Sequence, residues 1–215
     1  MFYILNSLAL VHAQDWYENS YASYLFPKAD MESQRISEQL AQIGSEESCR
    51  SFFSSYFPWM KANGEEIDNI LVDSTGLPNS IHFPLTAMSN HNGKISNEIR
   101  LIYVTQEEIG IPVYLRYVSG AIPDVMTIPA TIKELKEMSV DVKEVLLEAG
   151  YYSEKNIQRL YKENIHFICR MKENLRFYKE LVAAHYSDFE DPDHLVEFGK
   201  RLVFIKRAFP KVCRF

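Results

Sequence analysis

Two carboxylates are set where they could do chemistry. Asp73 closes the apolar run Ile70-Leu71-Val72 and is followed by Ser74, Thr75 and Gly76; Glu148 closes the run Val145-Leu146-Leu147 and is followed by Ala149 and Gly150. Each stretch reads as a short buried strand that delivers an acid to its exposed end, with a glycine turn beyond it. If the two strands are neighbours in a sheet, the acids converge, and converging hard oxygen ligands suit Mg²⁺ or Mn²⁺. Glu148 also fits a plainer role, as a strand-end acid bonded to the amides that open the next helix.

The elements that must position this pair follow from periodicity. Residues 1–62 read as helical: Ser33 is placed to cap a helix with Ile36, Leu40 and Ile43 at helical spacing, and Gly44 stops it. Ser45 starts another, with Glu46 and Glu47 favoured by the helix dipole and Phe52, Phe53, Tyr56 and Phe57 as its buried side before Pro58. From Asp68 the period becomes strand-like. After the Asp73 strand comes a polar loop with Pro78, Pro84 and Asn92-Gly93, then strands over 99–105 and 112–118 joined through Gly110 as an antiparallel hairpin. That hairpin excludes a simple doubly wound sheet. A helix opens near Thr127 with Pro129 in its first turn, the Glu148 strand follows, then a helix opened by Ser153, then a strand over 166–170. Three strands in a meander, helix, strand, helix, strand is the order of the α/β ribonuclease H-like fold, whose first and fourth strands lie side by side and carry the first two metal-binding acids.

Composition narrows the setting. With 215 residues, 47% hydrophobic and 24% charged, the chain can bury a full core and is not of disordered type. Cys49, Cys169 and Cys213 are scattered and odd in number, without a Cys-x-x-Cys pair, which fits a reducing cytoplasm. The apolar start from Phe2 to Val11 has no preceding Lys or Arg and is too short to span a bilayer, so it reads as a core helix and no membrane is expected. Residues 1–150 carry 10 Lys and Arg against 20 Asp and Glu, whereas residues 151–215 carry 13 against 9. Metal carboxylates in an acidic first part and phosphate contacts from a basic tail are compatible with that asymmetry, as is a solvated basic face.

The motifs resemble a known family. Asp73-Ser74-Thr75-Gly76, then Ile111-Pro112-Val113-Tyr114 through Gly120 with Pro123-Asp124, then Glu148-Ala149-Gly150-Tyr151-Tyr152-Ser153-Glu154-Lys155-Asn156-Ile157 are similar to the DDE transposases of bacterial insertion sequences, from about Tyr21 to the end of the chain. The resemblance implies a divalent-metal enzyme that cuts phosphodiester bonds of double-stranded DNA at the element's ends and joins them to target DNA, three acids holding two metal ions. On it, Asp73 matches the first acid and Glu148 stands where the family has Asp as the second. A third acid is expected on a helix after an inserted β-rich segment, and the chain ends at Phe215 as that segment begins, which implies a truncated, catalytically impaired remnant. Ala121 stands where relatives usually carry Asn. The implied divisions are a helical region at 1–62, an incomplete catalytic core at 63–175 and the start of the insert at 176–215.

Arg170, Lys172, Lys200, Arg201, Lys206 and Arg207 are the candidates for DNA phosphates, with solvated strand ends as the alternative for the first two. His82 and His91 match no ligand spacing, and Asp124 reads as a turn residue. Of Tyr151 and Tyr152, one is expected in the core. A second functional reading is a DNA-binding or self-associating fragment, forming a homo-oligomer, that does no chemistry and interferes with an intact transposase.

Overall fold

The computed structural model describes residues 2–6, 8–79, 83–91, 94–189 and 191–205. Two compact units divide the chain, Met1–Asn63 and Gly64–Phe215. The first is helical, with α1 (Phe2–Asn6), α2 (Ala13–Glu18), α3 (Ala22–Leu25), α4 (Ser33–Ile43) and α5 (Glu46–Ala62). Ser45 caps α5 as its sequence implies, accepting the Ser48 amide at 3.2 Å, with Glu46 and Glu47 in the first turn. Glu32 rather than Ser33 takes the cap position of α4. α5 also runs through Pro58, and only half of its aromatic set is inside: Phe53 and Phe57 are buried, while Phe52 is 59% exposed and stacks on Tyr56. The two stripes lie about 100° apart round the helix, and the core of this unit takes the Phe53/Phe57 side.

The second unit begins with β1 (Asn69–Pro78), β2 (Ala87–His91), β3 (Lys94–Gln106) and β4 (Pro112–Ser119). Next come α6 (Ile128–Glu137), β5 (Glu144–Leu147), α7 (Glu154–Lys162), β6 (His166–Cys169) and α8 (Arg176–His185), and finally β7 (Leu195–Phe198) and β8 (Arg201–Phe204). β3 pairs antiparallel with β1, β4 and β2, while β1, β5 and β6 run parallel to one another. The long path across the sheet is therefore β4-β3-β1-β5-β6, with β2 paired to the start of β3. This is the ribonuclease H-like order, with the first and fourth of its main strands adjacent. β7 and β8 form a separate hairpin in which Gly199 takes a φ of +63°, a turn conformation that disfavours other residues.

Two local expectations are corrected. The stretch 87–91 is a strand, not loop: its residues are poor strand formers, but the Asn92-Gly93 dipeptide between it and β3 is a strong hairpin signal. β1 also continues past Asp73, so Ser74, Thr75 and Gly76 lie within the strand. Gly76 leaves room there for the Glu98 carboxylate of β3, which would have to shift to admit a Cβ.

One face of the sheet is the core. Ile70 and Val72 of β1, Ile102 and Val104 of β3, and Val145 and Leu147 of β5 are buried together with Ile128, Ile132 and Leu135 of α6 and Leu160 of α7. α6 is joined to this face where Tyr114 and Arg116 of β4 both donate to Glu134. The other face leaves Leu71, Leu115, Tyr117 and Ile168 exposed.

The β1/β5 register is anchored at its start. Asp68 O accepts the amides of Lys143 at 2.8 Å and Glu144 at 3.1 Å, and Lys143 Nζ donates to Asp68 Oδ2 at 2.5 Å. That side-chain bond holds the Asp68 carboxyl below its ordinary value, against a smaller opposing effect of burial. A carboxylate depressed in the folded state adds stability above its unfolded pKa of about 3.9, and that stability is lost as pH falls through the folded value. The urea midpoint is thus expected to drop on acidification below about pH 4, and Lys143→Met to remove part of that drop. Equal acid sensitivity of parent and variant in urea titrations at pH 5 and pH 3 would show that the pair contributes nothing. Because the Lys143 ammonium is exposed, salt should shrink the difference.

Candidate metal centre

The β1/β5 ladder runs from Asn69 beside Glu144 to Val72 beside Leu147. One residue further on, Asp73 and Glu148 stand at equivalent positions on adjacent parallel strands, whose backbones are about 4.8 Å apart. Val72 and Leu147 point into the core, so the next residue on each strand points to the opposite face. Glu148 keeps this alternation because its backbone is still extended, with φ −71° and ψ 167°. Both carboxylates are exposed and neither forms an ion pair with a described residue. Asp73 Oδ1 accepts the amide of Ser74 at 2.7 Å. Glu148 does not cap the 3-10 turn at Ala149–Tyr151 with its side chain, so its carboxylate is not engaged by the amides of that turn.

Behind the two acids lies a buried polar network. Arg100, 9% exposed in its side chain, donates to Asp124 Oδ1 at 2.7 Å and reaches Glu98 Oε1 and Ser89 Oγ at 3.4 Å. The Glu98 side chain is only 4% exposed. Ser74 Oγ donates to the same Asp124 oxygen at 2.7 Å. Asp124 is therefore more than the turn residue it resembles in sequence. Tyr151 is buried beside this network, and loss of water holds its phenol well above the ordinary range, with the charges of Asp124 and Asp73 adding to the effect. Ser74 eases that shift, but the Tyr151 hydroxyl completes no hydrogen bond of good geometry with a described residue.

A cleft of about 580 Å³ opens next to the network, lined among others by Ser89, Arg100, Asp124, Tyr152, Ser153 and Lys172. Lys172 is thereby brought to the cleft, whereas Arg170 is exposed just after β6 and does not line it. Lys200 and Arg201 lie at the turn of the β7/β8 hairpin, in a different sheet from the acids. Lys206 and Arg207 fall outside the described residues, as does His82. Among the described residues no group of three or more His, Cys, Asp or Glu side chains is placed to hold a metal ion. What the register supplies is two exposed carboxylates without an ion pair to a described residue, donors of the hard-oxygen type that divalent cations take.

Residues 65–208, more than half of the chain, match the family model described as the transposase DDE domain. The chain belongs to that family. No curated protein matches it. Among solved structures it is similar to a piggyBac transposase synaptic complex with hairpin DNA, at 14% identity and a TM-score of 0.40, covering 55% of this chain and 26% of that one. It is also similar to a Mos1 transposase paired-end complex with left transposon end, at 9% identity and 0.34, covering 83% and 65%. A Drosophila P element transposase strand transfer complex follows at 10% and 0.27, covering 80% and 54%. This DDE-domain chain thus spans about a quarter of the piggyBac chain and just under two thirds of the Mos1 chain. It is the strand order, not these weak superpositions, that makes the fold ribonuclease H-like. No described helix is long and apolar enough to cross a membrane.

Proposed function

We propose that this chain carries the catalytic core of a transposase of the bacterial insertion-sequence type, with Asp73 and Glu148 as ligands for Mg²⁺ or Mn²⁺ and the phosphodiesters of double-stranded DNA as substrate. The observation that carries the reading is the side-by-side register of the two acids on adjacent strands, in a chain of the transposase DDE family. When bound, the metal supplies Lewis acidity to the attacking and leaving oxygens of the phosphate. The chain's own part is to hold two negative oxygens at fixed strand positions and to present cations to the DNA backbone. Lys172 at the cleft and Arg170 beyond β6 are the first candidates for that contact, and Lys200, Arg201, Lys206 and Arg207 the second group.

Glu148 sets the level of activity. A glutamate extends its carboxylate by one methylene, about 1.5 Å beyond an aspartate, whereas Mg²⁺ requires near-octahedral oxygens at about 2.0–2.1 Å. A displacement of about 1 Å lowers a rate by around a hundredfold, so this 215-residue chain is an impaired nuclease on its own. With Mn²⁺, Glu148→Asp is expected to raise nicking of supercoiled plasmid by up to about a hundredfold over the parent, and Asp73→Ala to remove it in either background. Nicking that survives Asp73→Ala at the parent rate rules the reading out.

A further inference from the structure

The network behind the acids bonds the residue after Asp73 and lies against the turn after Glu148. Ser74 follows Asp73 directly, and its hydroxyl is held by Asp124 Oδ1 at 2.7 Å. Gly150 lies two residues after Glu148, and the other oxygen of Asp124 approaches it so closely that a Cβ there would sit 3.0 Å from Oδ2. That carboxylate therefore bonds the residue after Asp73 and lies close against the turn that follows Glu148. Arg100 fixes that carboxylate from β3, bonding the same Oδ1 at 2.7 Å.

A second tie closes the loop. Asn156, buried at 4% exposure in α7, donates to Val125 O at 2.8 Å and to Tyr151 O at 3.0 Å. The segment carrying Asp124 is thus bound to the turn that leaves Glu148, whose carbonyl accepts the Tyr151 amide at 3.1 Å. Stability alone does not require ions here, because well-packed apolar residues of similar volume often serve a fold as well as a buried ion pair. What an ion network adds over apolar packing is direction: fixed oxygens with fixed partners.

We propose that Asp124, oriented by Arg100, is a positioning residue that couples the two strand ends and so sets the relative placement of the Asp73 and Glu148 carboxylates. The proposal rests on the reading of those two acids as a metal pair, but the coupling itself exists without metal. Partners that orient first-shell ligands in this way typically change metal affinity by about 10- to 100-fold when removed.

The test uses the full chain in two measurements. In metal-free amide hydrogen exchange, Asp124→Ala is expected to quicken residues 73–76 and 148–152 together by about tenfold, leaving α6 and the centre of β3 unchanged. Asp124→Asn keeps an oxygen for the Ser74 hydroxyl and is expected to restore most of the protection. Ser74→Ala removes a single hydroxyl, and it should quicken both segments even if Asp124→Ala fails to fold. Exchange that quickens in only one of the two segments, or uniformly across the sheet, overturns the proposal. In calorimetry with Mn²⁺, Asp124→Ala is expected to bind at least about tenfold more weakly than the parent, with Asp124→Asn between them. A parent that binds no Mn²⁺ while the two segments still respond together overturns the metal reading and leaves the coupling established. Binding unchanged in Asp124→Ala overturns the positioning role.

Discussion

Mn²⁺ titrated into the chain is expected to bind, Asp73→Ala to abolish that binding, and Glu148→Asp to tighten it. The expectation follows from register rather than from proximity in sequence, since 75 residues separate two positions that the β1/β5 ladder places side by side. Removing Asp73 takes away the shorter and better placed of two carboxylates, and a single remaining glutamate on a solvent-exposed strand end is an ordinary surface acid with little affinity for a divalent ion. Shortening Glu148 pulls its oxygens back toward Asp73, so its effect has the opposite sign. That opposition is the informative part: a variant that merely unsettled the fold would weaken binding in both cases. The titration is best made by calorimetry at low salt, with circular dichroism to confirm that each variant is folded. If Asp73→Ala binds as the parent does, the ion sits elsewhere and the two acids are not its ligands. If Glu148→Asp weakens binding, the longer side chain is the one this backbone was built around, and the displacement argument for low activity fails.

The main architecture was readable because its signals are local. The apolar triplets before Asp73 and Glu148, the Gly110 connection and the helix starts at Ser45 and Ser153 each report on a few neighbouring residues, and the order of the elements then limits the sheet to few topologies. The parts that were missed depend on contacts across the chain. β2 has weak strand propensity and exists through pairing with β3, and Ser74 to Gly76 stay in a strand because β3 continues beside them. Phe52 and Tyr56 are indistinguishable in type from Phe53 and Phe57, and only the direction of the first unit's core separates them. The network behind the acids did leave one trace. Glu98 and Arg100 fall on the same strand parity as Ile102 and Val104, the inward face, so a charged pair in line with two buried apolar residues was a signal for a buried ion cluster. Its partner Asp124 could not be found that way, because a carboxylate after proline in a turn has the same sequence appearance whether or not an arginine reaches it.

Arg100→Ala should be the most destabilising single change in the network. The substitution leaves Glu98, 4% exposed, without the only cation that a described residue brings to it, and deprives Asp124, 26% exposed, of its 2.7 Å bond from the guanidinium. Breaking a buried ion pair by removing one partner costs about 3–5 kcal/mol, because the remaining charge is stranded away from water. The Asp124 share is smaller than the Glu98 share, since water reaches a quarter of its side chain. Urea unfolding at neutral pH measures the loss directly, provided that the denaturant dependence is unchanged. A companion variant separates charge from packing: Arg100→Met with Glu98→Gln keeps most of the volume and strands no full charge at position 98, so it should recover a large part of the lost stability. It should not recover the metal affinity, because Asp124 would have lost the guanidinium that orients it. A loss below about 1 kcal/mol in Arg100→Ala would mean that Glu98 finds water or another donor once the arginine is gone. Recovery of stability together with metal affinity in the double variant would show that the ions serve packing alone, and that the two strand ends hold their acids without help from the charge.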